Sequence, residues 1–507
     1  MMTTNASTLL ERPAQQFPDR IFVIAGDVHL TYRQINDQAC RFANVLAQKG
    51  IQSGDSIALL MPNTPDFVAC YFGVLKQGGI VAPLNITSPA PELAHLLEDS
   101  GARLLVTNVA LLPVALNALQ QAPGCRVLLV SGEANSSPPA PNSEWLETLL
   151  AAVEANCCTQ AVEQDTAALL LYTSGTTGKP KAAVLTHGNL HSFTPIFARD
   201  IMGMDGNSVI MMNAPGSHAI GQVILNAAAF AQCTLSLLPR FDPVSFLNTV
   251  QRDRVTDLAM VPSLVQMMLT SPLVSDQSFH PVRTVVIGGS GLAQDVALQF
   301  ADRFNVRMMM TYAATETLHV TFGDMRQMPQ GSVGKLAYSV SLRVVDETGL
   351  DLQAGQIGEI LVRSPHVFRG YHNMPDQKDI YWLDGWFRTG DMGYLDEQGF
   401  LFLVARTKEV IKSSGYSIFP AEVEAVLQAH PAVAMAAITG IPHATLGEIA
   451  VAFIVRKPET SVTSQEIIRY CKDRLASYKC PRRVEYREHL PMNSAGKILR
   501  QQLPGLL

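Results

Sequence analysis

The sequence predicts an α/β protein: a large N-terminal body of several subdomains built on parallel sheets, an antiparallel β piece, and a small α+β C-terminal domain. Three features predict it. From Ser56 to Thr311 short apolar runs alternate with helical periods, the pattern of strands and covering helices in a parallel sheet. Between Ser341 and Arg363 the pattern changes to strand pairs separated by Gly. Beyond Arg406 a compact unit of short helices and a strand follows.

The elements can be taken in order. Ser56-Ile-Ala-Leu-Leu and Arg103-Leu-Leu-Val-Thr read as buried strands, and Pro65 to Lys76 reads as a helix between them. Gly132 to Ser143, rich in Pro and Ser, reads as a surface loop. Thr166-Ala-Ala-Leu-Leu-Leu-Tyr is a strand that runs into a turn-rich segment. Further strands are expected at Arg283–Ile287, Arg307–Thr311 and Phe400–Val404. Pro420 opens a helix carrying Val423, Val426 and Leu427, since proline fits a first helical turn whose N–H groups lack partners anyway. Thr463-x-x-Glu466 is a capping box before Ile467, Cys471 and Leu475, and Glu448 to Arg456 is a strand. There is no internal repeat. The expected boundary lies near residue 406, dividing a body over 1–405 from a lobe over 406–507.

Composition narrows the function classes. The chain has 507 residues, about three domains at roughly 150 residues each. Its net charge of −6 lacks the broad basic field that nucleic-acid binding needs. Hydrophobic residues at 47% against charged residues at 16% supply a large core and exclude disorder. No apolar stretch approaches the length of a membrane span, and Met1 to Phe17 lacks the pattern of a secretory signal. The 8 Cys are scattered, the only close pair being Cys157–Cys158, and are expected to be small core residues rather than metal or redox motifs. A protein of the cytoplasm, monomeric or homodimeric, is expected.

The densest signal is Tyr172-Thr-Ser-Gly-Thr-Thr-Gly-Lys-Pro-Lys181. Glycines let a backbone curl so that successive N–H groups face one anion; hydroxyls add donors, and lysine adds charge. Such a loop suits a polyphosphate. It is not a Walker A loop, which needs four residues between its glycines and Ser or Thr after the Lys. Here two residues separate Gly175 from Gly178, and Pro180 follows Lys179.

The run from Tyr172 to Leu190 resembles the signature of the adenylate-forming superfamily, which includes acyl- and aryl-CoA synthetases, peptide-synthetase adenylation domains and firefly-type luciferases. Four more segments are similar to that family's motifs, in order: Tyr312-Ala-Ala-Thr-Glu316, Trp386-Phe-Arg-Thr-Gly-Asp391, Arg406 to Glu422, and Pro491-Met-Asn-Ser-Ala-Gly-Lys497. The resemblance implies a two-step reaction. A carboxylate attacks the α-phosphate of ATP to give an acyl-adenylate and pyrophosphate, and a thiol then displaces AMP.

It also implies roles. Thr173, Ser174, Gly175, Thr176, Thr177, Gly178 and Lys179 would close over the β- and γ-phosphates, Thr315 would hold the α-phosphate, and Glu316 would ligate Mg2+. Tyr312 would stack on adenine beside Gly289 and Ser290, with Asp391 and Arg406 on the ribose. Lys497 would stabilise the charge that builds up during adenylation; a lone lysine there is ordinarily a solvated surface charge, and only the ordered motifs give it this role. His218 would lie near the carboxylate. Rotation of a mobile C-terminal domain about Lys408 would withdraw Lys497 and bring Ser414, Gly415 and Tyr416 to the CoA path. Ala182 and Ala313 stand where glycines are usual, and Gly291 where proline is common; the methyl of Ala313 is expected to narrow the pocket.

The segment Asn213 to Gln222 holds no acid to bind an amino group, which argues against an amino-acid substrate. His218, Ile220, Gly221, Gly288, Leu292 and Ala313 are expected around an apolar pocket for a fatty or aryl acid. The expectation is therefore an ATP-dependent carboxylic acid–CoA ligase with Mg2+, ATP and CoA. An acyl-AMP ligase that loads a carrier-protein phosphopantetheine is the alternative. A nucleotide-binding regulator with a dead site is opposed by the intact Glu316, Asp391, Arg406 and Lys497.

Overall fold

The computed structural model describes residues 4–132, 137–173, 180–289, 291–374, 381–413, 416–443, 445–458, 460–492 and 498–507. Two compact units emerge. The first comprises Met1–Met328, Ala337–Val340 and Arg363–Ile380; the second comprises Pro329–Leu336, Ser341–Val362 and Tyr381–Leu507. The boundary expected at residue 406 falls inside the second unit, which also takes in the antiparallel strands that precede the lobe.

The first unit holds two sheets. One runs in the order Gly370–Tyr371, Lys181–Thr186, Ala167–Thr173, Ile80–Pro83, Ser56–Leu60, Leu104–Asn108, Val127–Ser131, Ser143–Trp145. It is parallel from Ala167–Thr173 to Ser143–Trp145 and antiparallel at the other edge. The other contains the parallel series Arg307–Ala314, Thr284–Ile287, Asp257–Met260, Val209–Met212, Thr234–Leu237, Ile21–Ala25. A hairpin closes each end of that series, Leu318–Asp324 at one and Val28–Thr31 at the other.

Local chemistry sets these elements. Helix Pro65–Lys76 starts where expected because Thr64 Oγ1 accepts the Phe67 N–H at 3.3 Å and Pro65 needs no donor partner. Every residue from Phe67 to Lys76 is buried, so the helix is apolar nearly all round. On the first sheet Leu60, Leu93, Leu97, Leu105, Leu128 and Val130 pack together, all at most 3% exposed. Each such side chain contributes about 1.5–3 kcal/mol by leaving water.

The N-terminus is sewn into this body. Asn5 Nδ2 donates to the carbonyls of Leu75 (2.6 Å) and Gln160 (3.0 Å), and the Ala6 N–H donates to His187 Nδ1 at 3.0 Å. Six cysteines are buried as expected, but the adjacent pair is not: Cys157 is half-buried and Cys158 exposed, because both lie in a polar connection rather than in an element with an apolar face.

The second unit contains an antiparallel sheet and an α+β lobe. The sheet runs Ser341–Val345, Gly358–Arg363, Trp386–Leu395, Phe400–Arg406, Ser332–Leu336. The lobe pairs Val433–His443 with Gly447–Arg456 and adds Ile411–Ser413, Tyr416–Ile418 and, in parallel, Arg483–Tyr486. Helices Pro420–Gln428 and Ser464–Lys472 contribute Val423, Leu427, Ile467 and Cys471 to its own core. The capping box forms as expected, with Glu466 N–H on Thr463 Oγ1 at 3.3 Å and Thr463 N–H on Glu466 Oε2 at 2.8 Å. Leu475 lies past the end of that helix and packs on the same core from outside it.

Candidate active site

The strands Val209–Met212, Asp257–Met260, Thr284–Ile287 and Arg307–Ala314 are parallel neighbours. Three expected binding segments follow three of them: Asn213–Gly221, Gly288–Gly289 and Thr315–Glu316. The carboxyl ends of an open parallel sheet are where such folds bind ligands. The turns there are tightly built. Asn63 Nδ2 donates to the carbonyls of Met212 (3.0 Å), Ala214 (2.9 Å) and Leu238 (3.2 Å), while its Oδ1 accepts the Gly216 N–H at 3.0 Å. A Cβ on Gly221 would run into the Pro215 carbonyl. Gly289 has φ +86°, open to glycine and costly to other residues.

His218 precedes helix Ala219–Ala231. Its ring reaches solvent, yet the protein crowding around it lowers its pKa, so it is a neutral imidazole at pH 7. Ile220, Gly288 and Ala313 are half-buried and Gly221 is buried.

Thr315 and Glu316 form the turn between Arg307–Ala314 and Leu318–Asp324, both half-buried. Thr317 Oγ1 accepts the Ala314 N–H at 3.3 Å. The next residue, Leu318, has φ +50°; for a branched side chain that costs about 1–3 kcal/mol, a strain usually found at functional turns. The Tyr371 hydroxyl donates to Glu316 Oε1 at 2.7 Å, and the Phe368 N–H donates to the Glu316 carbonyl at 2.8 Å. Tyr312 is buried in the strand, paired with Thr321.

Beneath this turn lies a buried polar pair. Thr311 Oγ1 donates to the Thr321 carbonyl at 2.8 Å, which leaves His319 Nδ1, 2.7 Å away, to carry a proton toward it. His366 Nε2 donates to the His319 carbonyl at 3.1 Å. The His319 ring lies against Phe193 and Phe197. Burial pulls His319 down to about 3 and His366 to about 4, so both are neutral.

The strands that flank the expected phosphate-binding segment are paired, Thr173 with Lys181 and Tyr172 with Ala182. The Tyr172 hydroxyl donates to Asp99 Oδ2 at 2.9 Å, and burial pushes that phenol up. Lys181 is buried, with Nζ 5.6 Å from the centre of the Tyr371 ring. Ser174, Gly175, Thr176, Thr177, Gly178, Lys179, Ser290, Ser414, Gly415 and Lys497 lie outside the described residues.

In the second unit Asp391 and Arg406 face one another across paired strands, Nε to Oδ1 at 2.9 Å. Asp391 is buried and Arg406 exposed. Lys408 lies in the single turn Thr407–Glu409, and Tyr416 begins a strand opposite Ser413. Arg500, three residues after Lys497, binds Glu409 at 2.8 Å and Glu424 at 2.6 Å.

Among the described residues no group of three His, Cys, Asp or Glu side chains is placed to hold a metal ion. Mg2+ does not need one, since it takes one or two carboxylates together with phosphate oxygens. Glu316 fits that donor set: a half-buried carboxylate with one of its oxygens already fixed by a neutral donor. A separate surface cavity of about 730 Å3 lies at the opposite, amino-terminal ends of Thr284–Ile287 and Arg307–Ala314. Its Arg283, Arg303 and Arg326 are engaged with Asp257, Asp276 and Asp302, and it holds none of the expected site residues.

Sequence reasoning missed Tyr371, the Asp99 anchor of Tyr172, and Arg500. Tyr371 lies in a two-residue strand, too short to signal itself by periodicity. Arg500 finds its partners Glu409 and Glu424 across 91 and 76 positions of sequence, beyond the reach of any local spacing.

Comparison with known proteins finds the family described as AMP-binding enzyme over residues 10–372, and the AMP-binding enzyme C-terminal domain over residues 422–497. Long-chain-fatty-acid–CoA ligase FadD13 of Mycobacterium tuberculosis is 31% identical over 487 residues, covering 94% of this chain and 93% of that protein. Feruloyl-CoA synthase of an Amycolatopsis species is 31% identical over 497 residues, covering 97% of each. Among solved structures, ATP-bound MatB from Rhodopseudomonas palustris matches with a TM-score of 0.90 at 29% identity, over 100% of this chain and 99% of that one. No helix among the described residues is long and apolar enough to cross a membrane.

Proposed function

The chain belongs to the AMP-binding enzyme family and is an ATP-dependent acyl-CoA ligase, and from that premise we propose how its residues divide the reaction and what acid it takes. Two anions meet in the first step, so donors and cations must stand where charge accumulates. Thr173 and the loop Ser174 to Lys179 hold the β- and γ-phosphates, and Thr315 holds the α-phosphate. Glu316 holds Mg2+, which when bound screens the phosphate charge. Tyr312, Gly289 and Ser290 take the adenine, while Asp391 and Arg406 take the ribose, a carboxylate being able to accept both hydroxyls of a vicinal diol. Lys497 stabilises the charge on the oxygens as the acyl–phosphate bond forms and pyrophosphate leaves.

In the second step the CoA thiol attacks the acyl carbon and AMP departs. Ser414, Gly415 and Tyr416 serve this step, Lys408 acting as the hinge of a mobile lobe from 406 onward. The acid is a fatty or aryl carboxylate. Its pocket is formed by His218, Ile220, Gly221, Gly288 and Ala313, and the reading is supported by the acids in the names of the two relatives, a long-chain fatty acid and ferulate. The enzyme works in the cytoplasm, where ATP and CoA are at hand, as a monomer or homodimer.

The observation that carries this reading is the set of expected segments at the carboxyl ends of adjacent parallel strands. The test is pyrophosphate release with ATP, Mg2+ and a panel of fatty, aryl and amino acids, with and without CoA, products being followed by mass. A fatty or aryl acyl-CoA is the expected product. Acyl-AMP that persists in the presence of CoA would transfer the reading to a carrier-protein ligase, and turnover confined to amino acids would overturn the pocket.

A further inference from the structure

Resting on the reading of Glu316 as the cation ligand, we infer that Tyr371 is the residue that positions it. The segment Phe368–His372 engages the Glu316 turn twice, by the Phe368 N–H on the Glu316 carbonyl at 2.8 Å and by the Tyr371 hydroxyl on Oε1 at 2.7 Å. The same segment lies as an antiparallel strand along Lys181–Thr186, with Gly370 opposite Val184 and Tyr371 opposite Ala183. The Arg369 and His372 N–H groups extend this pairing to the carbonyls of Val184 (3.0 Å) and Ala182 (2.9 Å). Tyr371 therefore ties the Glu316 carboxylate to the strand that leaves the phosphate loop.

The chemistry of that tie matters. A carboxylate on a turn swivels about its terminal torsions, and one short O–H···O bond removes that freedom. A phenol is neutral, so it orients the carboxylate without cancelling its charge, as a lysine or arginine in the same place would. Lys181 Nζ, 5.6 Å from the ring centre, is within cation–π range and draws electron density from the phenol, making its O–H a stronger donor. Oε1 is fixed by the phenol, and among the described residues no partner holds Oε2, which would be available to a hard cation. The role is one of positioning, because Tyr371 acts through Glu316.

The test is Tyr371→Phe, which keeps the ring beneath Lys181 and the strand pairing. Pyrophosphate release titrated with Mg2+ is expected to need about tenfold more Mg2+ for half-saturation, the cost of a hydrogen bond to a charged group. The KM for the acid and the rate of thioester formation from preformed acyl-AMP, which carries no polyphosphate, are expected to stay unchanged. Electron paramagnetic resonance of Mn2+ with ATP and enzyme supplies a readout without turnover, more free Mn2+ being expected for the variant. Unchanged Mg2+ half-saturation with unchanged Mn2+ retention would overturn the inference. So would equal loss of both half-reactions with a lowered melting temperature, the mark of a merely structural residue. Glu316→Gln, measured alongside, separates the two ideas. If it too retains Mn2+ like the parent, the reading of Glu316 falls and the role of Tyr371 falls with it. If Glu316→Gln loses Mn2+ while Tyr371→Phe does not, only Tyr371 is dismissed.

Discussion

Two acids on this chain, Glu316 and Asp391, are both expected to serve the nucleotide, and they are prepared in opposite ways. Asp391 is buried at 6% exposure and joined by a guanidinium at 2.9 Å. It is electrically satisfied before any ligand arrives, and its remaining lone pairs suit hydroxyl groups. Glu316 is half-buried and held by a phenol at 2.7 Å, so it is oriented but keeps its charge. On the proposed assignment, the carboxylate already paired with a cation meets neutral hydroxyls, and the one oriented by a neutral donor meets a cation. The partner decides what each acid is for.

The strongest way to break that contrast is Glu316→Gln, which keeps an acceptor for the Tyr371 hydroxyl but removes the charge. Pyrophosphate release is expected to fall about 10²–10³-fold, the usual loss for a preorganised electrostatic contact, and added Mg2+ should recover part of it. Asp391→Asn is expected to do less, raising the KM for ATP by about ten- to a hundredfold through the weakened hydrogen bonds to the ribose. Its Mg2+ half-saturation should match the parent. If the two variants respond alike to Mg2+, the distinction between the acids is lost.

A smaller effect sharpens the contrast through pH. The Glu316 turn rests on His319 and His366, lowered to about 3 and about 4, and the body also holds His187 at about 4. Burial is the cause in each case. The unfolded chain, with histidines titrating near 6.5, binds more protons than the folded one between about pH 4 and 6.5. Stability therefore rises with pH across that window and is lost on acidification, with no further gain above it. The strands around Asp391 carry no such group, since no histidine lies between Tyr381 and Ala429. Amide protection, taken relative to the intrinsic exchange rate at each pH, should fall from pH 7 to pH 5 at Thr311–Thr321 before it does at Trp386–Arg406, and His319→Gln should flatten the fall in melting temperature. Simultaneous loosening of both regions would contradict this assignment.

Much of the architecture was legible because the signals are local. Helix Pro65–Lys76 begins and ends where expected, since a capping Thr64 and a first-turn proline lie beside its start. The strand expected at Arg307–Thr311 runs on to Ala314 instead, because its continuation pairs with Leu318–Asp324, a partner that apolar runs do not announce. The acids of the candidate site could be named from their motifs, but not what holds them. Tyr371 meets Glu316 across 55 positions of sequence, and Arg500 meets Glu409 across 91. Such contacts are properties of the topology, and no spacing in a single chain encodes them. Side chains that depend only on neighbours three or four residues away, such as Thr463 and Glu466, were read directly.

The stitching of Asn5 and Ala6 into the body has a consequence for how the chain is made. Their partners include Gln160 and His187, 155 and 181 positions away. The first helix, Thr8–Gln16, therefore cannot settle when it leaves the ribosome. It must wait until His187 has been synthesised, and the loop that then closes carries the entropy of a very long tether. A stalled or truncated nascent chain ending before residue 187 would lack both the acceptor of the Ala6 N–H and helix Ala219–Ala231, one of the two helices that Thr8–Gln16 packs against. It would leave part of the apolar face of Leu9, Leu10 and Ala14 exposed, surface of the kind that chaperones capture.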